Sequence, residues 1–192
     1  MAEENLLIPR DVYLKHGVHI GTTSKNKDMR RFIFKVLPNG LAMLDIKMID
    51  KRIQIAAKFL SRYNNILVAS RKIKKPMEIF AKEIGATFIH GRFMPGTLTN
   101  PNYEKYIEPD VLFVSDPFID EQAIEEALKA RIPIVALCNT FNSTDYVDLV
   151  IPCNNKGRKS IALIMFLLTR EILRLKGNEL KLKIDDFIEQ KE

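Results

Sequence analysis

The sequence predicts an α/β fold: a three-layer α/β/α sandwich around a mainly parallel central sheet, with a short N-terminal hairpin. Three observations predict it. Short apolar runs at 65–69, 87–90, 111–115, 132–138 and 148–152 alternate with segments whose apolar residues recur at helical spacing. The runs are apolar almost without interruption, as parallel strands covered on both faces are. The chain has 192 residues, 46% of them hydrophobic, which suits one domain with a substantial core. A single domain is expected over residues 1–177. A charged arm or tail follows over 178–192, where Leu180, Leu182 and Ile184 alternate with polar residues.

Each element has its local reason. Residues 1–10 read as loosely ordered, and "DVYLKH" (11–16) as a short helix. Residues 17–32 are polar and without a clean period, which predicts a loop. Two apolar runs then flank "PNG" (38–40), a hairpin signal because Asn-Gly accepts positive φ. Asp45 is a candidate N-cap for a helix carrying Ile46, Ile49, Ile53, Ala56, Ala57 and Leu60 on one face. "KKPMEIFAKEIGA" (74–86) reads as a helix opened by Pro76 and stopped by Gly85. "DEQAIEEALKAR" (120–131) is a helix with Ala123, Ile124, Ala127 and Leu128 inward. Residues 158–176 form the last long helix.

Composition narrows the function. The two cysteines, Cys138 and Cys153, lack C-x-x-C spacing, so neither a zinc site nor a disulfide framework is indicated. They fit reduced thiols in a cytoplasmic protein. The acidic start "MAEENLLIPR" has no signal-peptide pattern. The longest apolar run, 161–168, falls well short of the roughly 18 residues of a membrane span. Charge is segregated along the chain. Residues 1–75 carry 16 Lys/Arg against 6 Asp/Glu, residues 76–155 carry 5 against 12, and residues 156–192 carry 9 against 6. That asymmetry points to one face for a polyanion and another for a different partner.

Ligands of parallel α/β sheets bind at the carboxyl ends of the strands. The sequence puts four loops there, at 70–76, 90–101, 115–120 and 138–145. No G-x-G-x-x-G and no P-loop pattern occurs, and no nucleophile has an evident base partner. Asp116 precedes Pro117, and "SDP" reads as a strand-ending turn. His16 and His19 are three apart but have Gly17 between them and no further ligand nearby, so a metal site is not indicated. No cofactor is expected. The basic clusters carry more information: Lys25, Lys27, Arg30 and Arg31; Arg71, Lys72, Lys74 and Lys75; Lys156, Arg158 and Lys159. Each falls in or beside a loop. One such run is ordinarily a solvated face; three in one small domain, with Arg92 in the 91–101 loop, point to a nucleic-acid backbone. No aromatic-interleaved single-strand motif is present, so shape and charge of folded RNA fit better than base reading. The competing reading of the same loops is a nucleotide- or sugar-phosphate-binding enzyme.

Five phrases occur in order: "GVHIGT" (17–22), "GRFMPGTLTNP" (91–101), "PDVLFVSDP" (109–117), "IPIVALCNT" (132–140) and "IPCNNKGRKSI" (151–161). Together they resemble the universal "S-two" family of small-subunit ribosomal proteins, over about residues 8–176. The archaeal/eukaryotic type fits. Bacterial members have a second histidine where Thr22 stands, and a tryptophan and double glycine at Pro95-Gly96. They also insert a helical hairpin for which 45–65 has no room. The acidic, tryptophan-bearing tail of eukaryotic members does not follow Glu192, which makes the archaeal type the closest. The resemblance implies a flavodoxin-like or Rossmann-like fold without cofactor or catalysis, on the solvent side of the small subunit between head and body. Its implied partners are ribosomal RNA and neighbouring ribosomal proteins. No membrane association is expected, and off the ribosome a monomer or a weakly associating chain is.

Overall fold

The computed structural model describes residues 6–188. Helix α1 (Arg10–His16) and a 3-10 turn (Asp28–Phe32) precede a hairpin, β1 (Ile33–Val36) and β2 (Ala42–Leu44). Then come α2 (Ile46–Leu60), β3 (Ile66–Ser70), α3 (Lys75–Ile84), β4 (Thr87–His90) and β5 (Val111–Val114). The chain continues through α4 (Glu121–Ala130), β6 (Ile134–Cys138), β7 (Leu149–Pro152), α5 (Arg158–Leu175) and a second 3-10 turn (Ile184–Phe187). The five later strands form one parallel sheet in the order β4-β3-β5-β6-β7. Counted from the first strand of that sheet, this is the 2-1-3-4-5 order of flavodoxin-like folds, with its switch point between β3 and β5.

The topology explains the layers. The β3–α3–β4 crossover moves one way along the sheet and β5–α4–β6 the other. Right-handed crossovers in opposite directions fall on opposite faces. Accordingly α2, α3 and α5 pack together, and α4 packs on β5 apart from them. Phe113 of β5 meets Phe80 of α3 at 5.2 Å between ring centroids. Its neighbours Leu112 and Val114 point to the α4 side by the two-residue period. Strands β3, β5, β6 and β7 are buried at every position. β4 is the exception to the expected coverage: as the edge strand it is only half-buried. Among the described residues no helix is long and apolar enough to cross a membrane.

Local signals worked where one residue decides the geometry. The Asp45 carboxylate accepts the Lys47 amide at 3.0 Å and caps α2. Gly85 ends α3 in the left-handed region. In the hairpin, only Gly40 takes positive φ; Asn39 acts through its side chain, which accepts the Leu41 amide. The polar stretch 17–32 is less irregular than expected. It contains the first 3-10 turn and an antiparallel bridge from Ile20 to Met43. In α4, Leu128 was expected inward but is 46% exposed, while Glu126 is buried. Leu128 sits at the margin of the apolar stripe, and the buried carboxylate has a structural task described below.

Residues 178–188 fold back on the α2–α3–α5 layer. Phe187 is fully buried and meets Phe166 edge-on, with Leu182, Ile184 and Ile188 beside it. Burying such a ring contributes about 1.5–3 kcal/mol. The segment 6–9 is likewise held: the Leu7 amide donates to Asp50, and its carbonyl accepts from Arg170. The first five residues of the stretch read as loosely ordered, and residues 189–192 of the arm, lie outside the described residues.

Candidate nucleic-acid interface

The carboxyl ends of the strands gather segments that are distant in sequence. Arg71, Lys72 and Lys74 follow β3, Arg92 follows β4, and Lys156, Arg158 and Lys159 follow β7. The 22–28 loop joins them by docking on Thr140, just past β6. Thr22 and Thr140 share a hydroxyl hydrogen bond of 2.9 Å, and the Asn26 amide donates to the Thr140 carbonyl at 2.8 Å. This carries Lys25 and Lys27 to the same rim. Gly21 makes the approach possible: a Cβ there would stand 2.5 Å from Thr140 Cγ2 and 2.8 Å from the Ala42 carbonyl oxygen. Asn154 fastens the last loop, its backbone N–H donating to Val18 and its side chain to Gly17.

Electrostatics focus on this rim. Lys156 and Lys72 both lower the pKa of the buried Asp116 carboxyl, against the larger effect of burial. The Lys156 ammonium also sits 4.2 Å over the Phe141 ring, a cation–π contact that fixes its stem. The 18-residue helix α5 starts here with Gly157 as N-cap, with no side-chain cap and no acidic residue in its first turn. Its positive dipole end thus faces the rim among three cations, an arrangement suited to phosphate. Arg71 and Arg92 line one small cleft of about 220 Å³.

The switch point itself is closed by the protein's own carboxylate. Asp120 accepts the Arg71 amide at 2.9 Å through one oxygen. Its other oxygen accepts the Ser115 hydroxyl at 2.9 Å and the Asp116 amide at 3.3 Å. Ser70 shares a 2.9 Å hydrogen bond with Ser115 and accepts the Ile73 amide. Burial raises the pKa of both Asp116 and Asp120, against hydrogen bonds that favour their charged forms. Asp116 is satisfied by the Phe118 amide and by Asn142. Burial likewise pushes both cysteine thiols up. Among the described residues no group of His, Cys, Asp or Glu is arranged to hold a metal.

The 91–101 loop is clamped from beneath. Glu126 accepts the Gly96 amide at 2.9 Å and the Leu98 amide at 3.0 Å, with Gln122 alongside. Phe93 and Leu98 plug into the core, while Arg92, Met94 and Pro95 stay exposed. The loop is a preformed surface whose one charge is Arg92. Part of the acidity of residues 76–155 is therefore internal or engaged with backbone. Asp116, Asp120 and Glu126 are buried, and Asp110 and Asp148 hold the backbone amides of Asn65 and Ile134.

Of the twelve cations singled out in the sequence, eleven are exposed. Lys75 is the exception: half-buried, its ammonium donates to the Ile188 carbonyl at 3.1 Å, which ties it to the C-terminal segment. Arg30 and Arg31 lie on the first 3-10 turn, off the rim and beside α2. There Arg31 and Arg52 both stack on Phe32, at 4.9 and 5.3 Å from its centroid. Arg52 was not legible as part of a cluster, because only the fold brings α2 to the 28–32 turn. The histidines are structural in their contacts. His16 and His90 donate to the Val12 and Ser70 carbonyls, and His19 buries an unpartnered Nδ1.

The sequence profile of the family described as "Ribosomal protein S2" matches residues 13–108 and 102–174. The chain belongs to this family. Relatives are similar over nearly full length. The "small ribosomal subunit protein uS2" of Methanococcus maripaludis strain C6 is 46% identical, covering 99% of this chain and 89% of the relative. The proteins of the same name from Picrophilus torridus and Methanoregula boonei are 48% and 51% identical. They cover 97% and 94% of this chain, and 98% and 91% of the relatives. All three relatives come from archaeal species. In this S2-family chain, α2 runs unbroken from Ile46 to Leu60 without an inserted hairpin.

Proposed function

We propose that the chain is a structural protein of the small ribosomal subunit, anchored on ribosomal RNA through the basic rim at the carboxyl ends of its sheet. The convergence of four separate segments on that rim, with an uncapped helix N-terminus among them, carries the reading. Lys25, Lys27, Arg71, Lys72, Lys74, Arg92, Lys156, Arg158 and Lys159 supply phosphate contacts, and Arg30 and Arg31 extend them toward α2. Lys75 orders the C-terminal segment. Glu121 and Glu125, exposed on α4, give neighbouring basic ribosomal proteins a smaller acidic face than the sequence count implies. The protein works on cytoplasmic ribosomes and is monomeric or weakly associating when free.

Co-sedimentation with small subunits in sucrose gradients, and titration of small-subunit RNA at graded salt, test this. Each phosphate contact removed, for instance by Lys27→Gln, Arg71→Gln or Lys156→Gln, lowers the log–log salt slope by about 0.7–0.9. Binding indifferent to salt overturns the reading. The competing nucleotide-binding enzyme is disfavoured by Asp120, whose negative charge holds the amides such a ligand would need.

A further inference from the structure

The outward face of α2 is cationic along its whole length. Lys47, Lys51, Ile55 and Lys58 recur at spacings of four, four and three, and Arg62 follows four residues later, just past the helix end; all five are exposed. The face spans roughly 20 Å at 1.5 Å per residue. It carries no exposed carboxylate. Asp45 caps the helix, and Asp50 is buried, held by Tyr13 at 2.6 Å, Gln54 at 2.8 Å and the Leu7 amide at 3.0 Å. On α3 and α4 the signs are mixed: α3 exposes Glu78 with Lys82, and α4 exposes Glu121 and Glu125 with Lys129.

A solvated helix surface ordinarily intersperses both signs, since like charges four residues apart destabilise by a few tenths of a kcal/mol. Lys58 and Arg62 stand four apart with the same sign. Lys51, Lys58 and Arg62 make no ion pair among the described residues. The stripe also borders a second pair of cations. Next to Lys51 in sequence, Arg52 shares the Phe32 ring with Arg31. Helix α2 runs antiparallel to β3, so the stripe leads away from the rim down one flank.

We infer that the outward face of α2, through Lys51, Lys58 and Arg62, is a second RNA-backbone contact, separate from the rim and resting on the RNA-binding reading above. Long, flexible cations on one straight helix track a phosphate backbone without reading bases.

The test compares two triple variants of the full chain binding small-subunit RNA: Lys51→Gln, Lys58→Gln, Arg62→Gln for α2, and Lys27→Gln, Arg71→Gln, Lys156→Gln for the rim. Glutamine keeps helix propensity close to that of lysine and arginine, and a wild-type circular dichroism spectrum and Tm verify folding. The α2 variant is expected to lower the salt slope by about 2. An unchanged slope for α2 with a flattened one for the rim overturns this inference and leaves the rim reading standing. Unchanged slopes for both overturn both. An α2 variant that binds RNA normally but fails to enter reconstituted subunits assigns the face to an acidic protein neighbour and overturns the inference.

Discussion

Asp120 shows what one residue can decide. Its carboxylate accepts three donors at the switch point, from Arg71, Ser115 and Asp116. Asp120→Asn keeps one acceptor oxygen but turns an NH2 group toward the donors on the other side. A loss of about 1–3 kcal/mol is expected in chemical denaturation; an unchanged midpoint would mean the network holds nothing. Two carboxyls and one histidine set opposite pH trends. Burial raises the Asp116 and Asp120 carboxyls above 3.8, so their contribution to stability is fully present below that pH and is lost as pH rises through their raised folded values. His19 moves the other way. Burial, then the charge of Arg10, lowers it from 6.5, so its contribution is full above pH 6.5 and is lost as pH falls through the lowered value. Titration followed by NMR of the His19 ring should show a midpoint below 6.5; one at or above it contradicts the burial argument.

At the scale of elements, loops are held by contacts that their own sequence does not contain. The 22–28 loop carries Lys25 and Lys27 to the rim only because Gly21 lies against Thr140 and the Ala42 carbonyl. Gly21→Ala forces a Cβ into backbone that cannot give way. A destabilisation of about 1–3 kcal/mol is expected, as for other overpacked sites. Faster hydrogen exchange at the Asn26 amide should accompany it, since that amide bonds Thr140. Exchange as slow as in the wild type would show that the loop does not depend on this contact. The 91–101 loop depends in the same way on Glu126. The apolar period of α4 marked Leu128 as inward and passed over Glu126. No local signal says that a helix carboxylate will be buried beneath a loop thirty residues earlier. By contrast, Asp45, Gly85 and the apolar face of α2 were legible, because capping, left-handed backbone and amphipathic period are local properties.

At the scale of the whole molecule, the switch point of a flavodoxin-like sheet is filled by the protein's own Asp120 carboxylate. Nucleotides or sugar phosphates should therefore leave Tm unchanged in a thermal-shift titration, since only a ligand that binds the native state raises it. A saturable rise would reopen the enzyme reading. The sequence by itself determined the strand–helix alternation, the parallel sheet, the caps and the identity of the basic clusters. It did so because apolar period, turn chemistry and charge are written within a few neighbouring residues. Only the tertiary structure decided which clusters meet. It brought 22–28 to Thr140, tied Lys75 to Ile188, withdrew Asp116, Asp120 and Glu126 from the acidic surface, and joined Arg52 to Arg31 across Phe32. Those pairings close loops of tens to more than a hundred residues, and their partners are selected by packing against the shared core.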